Sequence, residues 1–260
     1  MGRDATHMFE LKDKGALITG ARRGMGITHA LALAAQGAKV IVTDINESEC
    51  ASVVSDIVAR GGEAVAHALD VSKGAEVEGV FDKTVKQFGR LDILVNNAGI
   101  YFPKPALELT EAEWDKMLSI NLKGQFLCAT RAAREMAKRK WGRIINIASV
   151  ASGQVGVGIS GGAHYTASKG GIIGMSETLA IEWAPLGITV NVIGPGIIDT
   201  PMVGAAEIPK AAMDAMLARV PMKRMGKPEE ISAMVVFLAS EEASYVTGAT
   251  FFVDGGWLAA

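Results

Sequence analysis

Tyr165 and Lys169 stand four residues apart in the run Tyr165-Thr166-Ala167-Ser168-Lys169. On a helix that spacing puts a phenol and an ammonium on one face, close enough for the cation to favour the phenolate. Well upstream, Thr19-Gly20-Ala21-Arg22-Arg23-Gly24-Met25-Gly26 is a glycine-rich turn that lets backbone approach a pyrophosphate. An acid of lowered pKa beside a dinucleotide site is what hydride exchange with a carbonyl needs. The pairing points to an oxidoreductase.

These residues need a scaffold, and the hydrophobic pattern supplies one. Short β-branched runs alternate with longer helical stretches. Strands are expected at Ala16–Ile18, Val40–Thr43, Ala64–Leu69, Leu91–Val95, Arg143–Ala148, Ile188–Ile193 and Thr250–Val253. Between them, helices are expected from Ile27, over Ser48–Arg60, Lys73–Phe88 and His164–Ala184, and over one long region, Glu111–Lys138. Pro201–Arg219 and Pro228–Ala239 also read as helical. The strands are continuously apolar, as expected when helices cover both faces of a parallel sheet. No linker interrupts the pattern, so we read one α/β domain over 15–260 behind an N-terminal extension, 1–14.

Gly20, Gly24 and Gly26 fall between an expected strand and helix, where the helix N-terminus offers unpaired N–H groups to a phosphate. Asp44 lies at the end of the second strand, about twenty residues on, where a carboxylate accepts hydrogen bonds from the adenosine ribose. It would repel a 2′-phosphate, which favours NAD over NADP. Arg22 and Arg23 pull the other way, since a guanidinium in the turn could pair with that phosphate.

Composition narrows the function classes. A formal charge of -2 without a dense Lys/Arg block argues against a nucleic-acid or anionic-membrane surface. Arg131–Arg143, the most basic stretch, reads as the solvated end of a helix. Cys50 and Cys128 show no CxxC or Cys/His spacing, so neither a metal site nor a disulfide framework is expected. Met1–Lys14 lacks the apolar core of a signal peptide, making a cytoplasmic location the expectation.

The glycine turn, Asn96-Asn97-Ala98-Gly99, Tyr165-xxx-Lys169, Pro195-Gly196 and Asp254-Gly255-Gly256 occur in one order along nearly the whole chain. In this the sequence resembles a single-domain short-chain dehydrogenase/reductase. The resemblance implies a Rossmann-type, doubly wound parallel sheet of seven strands with helices on both faces. It implies cofactor contacts from Gly20, Arg22, Arg23, Gly24, Met25 and Gly26, from Asp44 and Ile45, and from Asp70 and Val71 at the adenine. Asn97, Ala98 and Gly99 match the segment that runs beside the cofactor. Pro195, Gly196, Ile198 and Thr200 match the segment that holds the nicotinamide carboxamide, and Tyr165 and Lys169 reach the same ligand.

The catalytic tetrad it implies is Asn121, Ser149, Tyr165 and Lys169. Ser149 closes the strand-end motif Asn146-Ile147-Ala148-Ser149, yet it lies farther from Tyr165 than is usual in the family; Ser152 has the usual gap. We prefer Ser149, with the added residues in the glycine-rich stretch Gly153–Ala163. Tyr165 would pass a proton to or from the substrate oxygen, its pKa lowered by Lys169 and the positive nicotinamide, while Ser149 holds that oxygen and Asn121 supports a relay water.

The substrate lid is expected at about 200–225, where Met202, Met213, Met216, Met222 and Met225 suit either an apolar substrate or simple packing. Lys210, Arg219, Lys223 and Arg224 read as solvated. His164 and Gln154 could contact substrate or serve only the loop, and Trp183 and Trp257 read as packing or interface residues. The resemblance implies a homotetramer, with a dimer second. The leading expectation is an NAD-dependent interconversion of a secondary alcohol and a ketone. The alternatives are an NADPH-dependent carbonyl or 3-oxoacyl thioester reductase, and a dinucleotide-binding sensor or scaffold without catalysis.

Overall fold

A computed structural model describes residues 8–153, 156–206 and 208–260. Seven strands form one parallel sheet in the order β3-β2-β1-β4-β5-β6-β7. They are β1 (Gly15–Thr19), β2 (Lys39–Asp44), β3 (Glu63–Ala68), β4 (Ile93–Asn96), β5 (Gly142–Ile147), β6 (Ile188–Pro195) and β7 (Thr250–Val253). Successive strand residues point to opposite faces. Leu17 and Ile18 of β1 therefore enter two different cores, and both are fully buried. That double burial explains the unbroken apolar strands. The edge strands β3 and β7 are only partly buried, which is why β3 tolerates Glu63 and His67.

One core packs α1 (Met25–Ala35) and α9 (Pro228–Ala239) on the sheet through Leu33 and Leu238. The other packs α3 (Gly74–Phe88) and α5 (Gly124–Ala137) through Phe81 and Cys128, and takes Leu179 from α6 (Ala163–Trp183). α2 (Glu47–Ala59) joins the first core through Val53 and Ile57. The N-terminal segment is docked from Leu11 onward: that side chain is buried and its N–H donates to the Gln36 carbonyl at 2.8 Å. Strand order reverses between β1 and β4, and the crevice at the carboxyl ends of these strands is where such sheets bind ligands.

Two expected helices are interrupted. Glu111–Lys138 divides into α4 (Glu111–Leu118), a π-helical turn Ser119–Lys123, and α5. The turn carries Asn121, whose amide is tied to backbone elsewhere, and it ends at Gly124, where a Cβ would lie 2.7 Å from Val71. Such π-turns recur at functional sites. Pro201–Arg219 divides into α7 (Pro201–Ala205) and α8 (Lys210–Ala218), with Pro209 at the N-cap of α8. Proline cannot supply the N–H that a continuous helix would require there. Among the described residues, no helix is long and apolar enough to cross a membrane.

Candidate active site

Two cavities meet at the carboxyl ends of the central strands, and Met202 borders both. The first, about 210 Å³, is lined by Gly20, Arg22, Arg23, Gly24 and Met25 of the turn and by Asp44 and Ile45 after β2. Asp70 and Val71 border it too, as do Asn97, Ala98, Gly99 and Thr200. These thirteen of the expected cofactor residues converge on one cleft. Gly26, Pro195, Gly196 and Ile198 do not line it. Gly26 is buried inside the turn, where a Cβ would meet the Gly20 carbonyl oxygen at 2.3 Å. Pro195 is a buried β6 residue, and Ile198 packs into the first core. Gly196 borders the second cavity instead.

The turn is held from behind. Gly20 has φ +65°, and a Cβ on it would lie 2.7 Å from the Ala98 Cα. Asn97 Nδ2 donates to the carbonyls of Thr19 and Gly20 at 3.0 and 2.9 Å, while Thr19 Oγ1 accepts the N–H groups of Asn97 and Ala98. Asn97 therefore acts on the turn more than on the cleft. Gly24 caps α1 with φ +60° and no side-chain bond, so the first N–H groups of the helix are uncapped at the cleft edge. Arg22 Nε lies 3.0 Å from Asp44 Oδ1, and its guanidinium also pairs with Glu49.

The second cavity, about 440 Å³, is bordered by Tyr165 and Ser149. Ser149 bonds the Tyr165 phenol, and its Oγ accepts the Ala151 N–H at 3.1 Å. Ser152 lies elsewhere: its hydroxyl is buried without a partner and borders no described cavity. The strand end fixes Ser149, and the loop behind it folds back through Val157, whose N–H reaches the Val150 carbonyl at 2.8 Å.

Lys169 is buried behind the tyrosine. Its Nζ donates to the Ile147 carbonyl at 2.9 Å and sits 5.6 Å from the Tyr165 ring centre. Asn121 locks the neighbouring backbone, accepting the Ile100 N–H at 2.9 Å and donating to its carbonyl at 3.0 Å. The same amide reaches Ser168 Oγ at 3.3 Å. A Cβ on Gly99 would stand 3.4 Å from Asn121 Oδ1 and 3.8 Å from Lys169 Nζ, so these three residues share one corner.

The expected depression of the tyrosine pKa by Lys169 is not what the chain alone produces. Burial pushes the phenol up to about 12, opposed by the Ser149 hydrogen bond, and Tyr101 adds to the rise. Burial also pulls Lys169 down to about 8. Burial is the largest cause of both shifts, and it favours the neutral form of each group.

Other expectations sort as follows. His164 is fully buried against Phe102, ring centres 4.8 Å apart, and is not on the cavity wall. Gln154 lies outside the described residues. Met202 and Met216 border the second cavity, whereas Met213, Met222 and Met225 do not. Trp257 and Arg219, read from sequence as packing and solvated residues, both border it. Tyr101 was not anticipated: it lines the cavity edge-on to Tyr165, ring centres 5.0 Å apart. The only local signal is its place two residues after Gly99.

A family described as enoyl-(acyl carrier protein) reductase matches residues 20–258. The chain is 40% identical to the 3-oxoacyl-[acyl-carrier-protein] reductase FabG of Thermotoga maritima, over 95% of this chain and 99% of that protein. Among solved structures it resembles a short-chain type dehydrogenase/reductase from Mycobacterium marinum, with TM-score 0.91 and 34% identity over 98% and 99% of the two chains. It also resembles a gluconate 5-dehydrogenase from Burkholderia cenocepacia in complex with NADP and tartrate, with TM-score 0.94 and 35% identity over 99% and 100% of the two chains.

Proposed function

The chain belongs to the short-chain dehydrogenase/reductase family, and from that premise we propose that it interconverts a secondary alcohol and a ketone with NAD(H). The observation that carries the reading is the shared wall: Ser149 and Tyr165 border a largely apolar cavity that adjoins the glycine-turn cleft.

The residues present fit a dinucleotide. The uncapped N-terminus of α1 beside Gly24 suits a pyrophosphate, and Asp44 at the cleft edge suits ribose hydroxyls. When bound, the nicotinamide ring supplies or accepts the hydride. The rest of the chemistry belongs to the chain. In reduction Tyr165 gives its proton to the substrate oxygen; in oxidation its phenolate takes one. Ser149 holds that oxygen, Lys169 bears on the phenol and the ribose, and Asn121 fixes the Ile100 backbone beside them. A positioned acid of this kind contributes about 10²–10⁴-fold.

NAD is the preferred form because Arg22 is already committed to Asp44 and Glu49, leaving a 2′-phosphate to meet carboxylate. A second reading, NADPH-linked reduction of a carbonyl or 3-oxoacyl thioester, is favoured by the FabG relative, by the neighbour that binds NADP, and by Arg23 exposed on the cleft. Calorimetric titration separates the two. Tighter binding of NAD, with Asp44→Ala shifting preference toward NADP, supports the first; tighter binding of NADP by the wild type reverses the cofactor assignment alone. Turnover of a ketone panel that survives Tyr165→Phe refutes the mechanism. Tight binding with no turnover on alcohols, ketones or thioesters supports the non-catalytic sensor. We further propose a homotetramer, readable by light scattering, with a dimer second.

A further inference from the structure

We infer that Arg219 selects substrates bearing an anionic oxygen group, the carboxylate of an oxo acid or the phosphate of a thioester carrier. This deepens the proposed function and rests on Tyr165 serving a carbonyl in the same cavity.

The wall of that cavity is largely aliphatic, from Val150, Val157, Ile159, Ile197, Val203 and Met216. Its hydroxyl groups come from Ser149, Tyr165, Tyr101 and Ser160. Among its described lining residues Arg219 alone is charged, so no described carboxylate of the wall neutralises it. A wall built to bind a neutral apolar molecule has no use for an uncompensated cation.

Six of the nine other described arginines are neutralised, while Arg23, Arg60 and Arg139, which also form no described ion pair, do not border this cavity. Arg22, Arg90, Arg131, Arg134, Arg143 and Arg224 each pair with an aspartate or glutamate. Arg219 forms no ion pair among the described residues, and its guanidinium lies 5.9 Å from the Trp257 ring centre. A cation at the C-terminus of α8 interacts favourably with the helix dipole, but the dipole does not account for a place on the cavity wall. Trp257 is itself buried, and its indole N–H has no hydrogen-bond partner. Two residues from distant segments, Arg219 at the end of the lid helix and Trp257 near the C-terminus, thus border one cavity. A planar guanidinium fits carboxylate or phosphate oxygens through paired hydrogen bonds.

The test compares wild type with Arg219→Gln and Arg219→Lys, using NADH and NADPH in parallel. Substrates are medium-chain oxo acids with their methyl esters, and a 3-oxoacyl-CoA with its uncharged N-acetylcysteamine counterpart. Arg219 is exposed at a helix end, so the variants should melt with the wild type. The expected result is a loss of about tenfold or more in kcat/KM for the charged member of one pair in Arg219→Gln. Its neutral partner should stay within about twofold, and Arg219→Lys should recover part of the loss. Loss confined to the oxo acids assigns the carboxylate; loss confined to the CoA thioester assigns the phosphate. Equal responses of charged and neutral members overturn the inference while leaving the catalytic reading intact. Should no substrate turn over, which defeats the proposed function, calorimetry of oxo acid against ester on NAD-saturated protein still decides. An acid preference lost in Arg219→Gln upholds the role, and equal affinities or binding of neither overturn it.

Discussion

Replacing Lys169 with methionine should stabilise the protein at neutral pH while abolishing turnover. The ammonium is 4% exposed and makes one described hydrogen bond, to the Ile147 carbonyl. Burial lowers its pKa from 10.5 to about 8. At about 1.4 kcal/mol per unit, holding the charge inside at neutral pH costs about 3 kcal/mol. Methionine matches the length and removes that cost, but gives up the charge-assisted bond to the Ile147 carbonyl, to which Gln125 Nε2 still donates at 3.2 Å, a loss of about 1–2 kcal/mol. The net gain is about 1–2 kcal/mol, a rise of about 2–8 °C in the melting midpoint for a domain of this size.

The pH dependence separates this from a packing effect. Between pH 8 and 10.5 the native lysine has released its proton while the unfolded one retains it. The unfolded state then binds more protons, so wild-type stability rises with pH across that window. Below it the penalty is fully present. The methionine variant has no such group, so its advantage should be largest near neutral pH and shrink toward pH 10.5. Melting scans of both proteins across that range are the assay, and titration of Tyr165, common to both, cancels in the difference. A variant no more stable at neutral pH, or a gap that stays constant as pH rises, would show that burial does not set the state of Lys169.

Four further outcomes follow from the geometry. Asn121→Ala strands the Ile100 N–H and carbonyl and should lower unfolding free energy by about 2–4 kcal/mol in urea titrations, with kcat falling as well. Ser149→Ala should cut kcat by at least about tenfold with an unchanged melting midpoint, whereas Ser152→Ala should leave kcat within about twofold. Gly20→Ala forces a Cβ to within 2.7 Å of Ala98 at a positive φ and should destabilise by about 2 kcal/mol or more, measured by chemical denaturation. With the phenol pushed up to about 12, alcohol oxidation should accelerate steadily from neutral to alkaline pH, while ketone reduction should be flat near neutrality. An oxidation rate that levels off below pH 8 would contradict that ordering.

The sheet was legible because both of its faces are covered, so each strand prints as an apolar run whichever way its residues point. Tyr165 and Lys169 were legible because helical spacing alone puts them on one face. Ser149 followed from its strand end, which a loop of altered length cannot move. The π-turn at Asn121 was not legible: one widened turn barely disturbs a helical pattern, and the Asn121 side chain it carries bonds Ile100, distant in sequence. Tyr101 escaped notice, and Arg219 was read only as solvated, because the cavity wall is drawn from several separate segments with no common periodicity. Residues next to a motif need not share its direction: the Ile198 side chain turns into the core while Thr200 reaches the cleft.

The tyrosine pKa shows the same limit in another form. Spacing reveals which charge lies near a phenol but says nothing of how much water surrounds both. Here desolvation moves the two partners in opposite directions, phenol up and ammonium down, and each shift favours the neutral form. The resting chain therefore holds a proton donor ready for a carbonyl, not a preformed base. Its groups are set by separate segments: Ser149 by the end of β5, Tyr165 and Lys169 by α6, and Asn121 by the π-turn gripping Ile100. Because the low-water environment arises only when these segments close together, loosening any one of them should return both pKa values toward their ordinary range. The proton-transfer properties of this site therefore belong to the packed fold rather than to the dyad by itself.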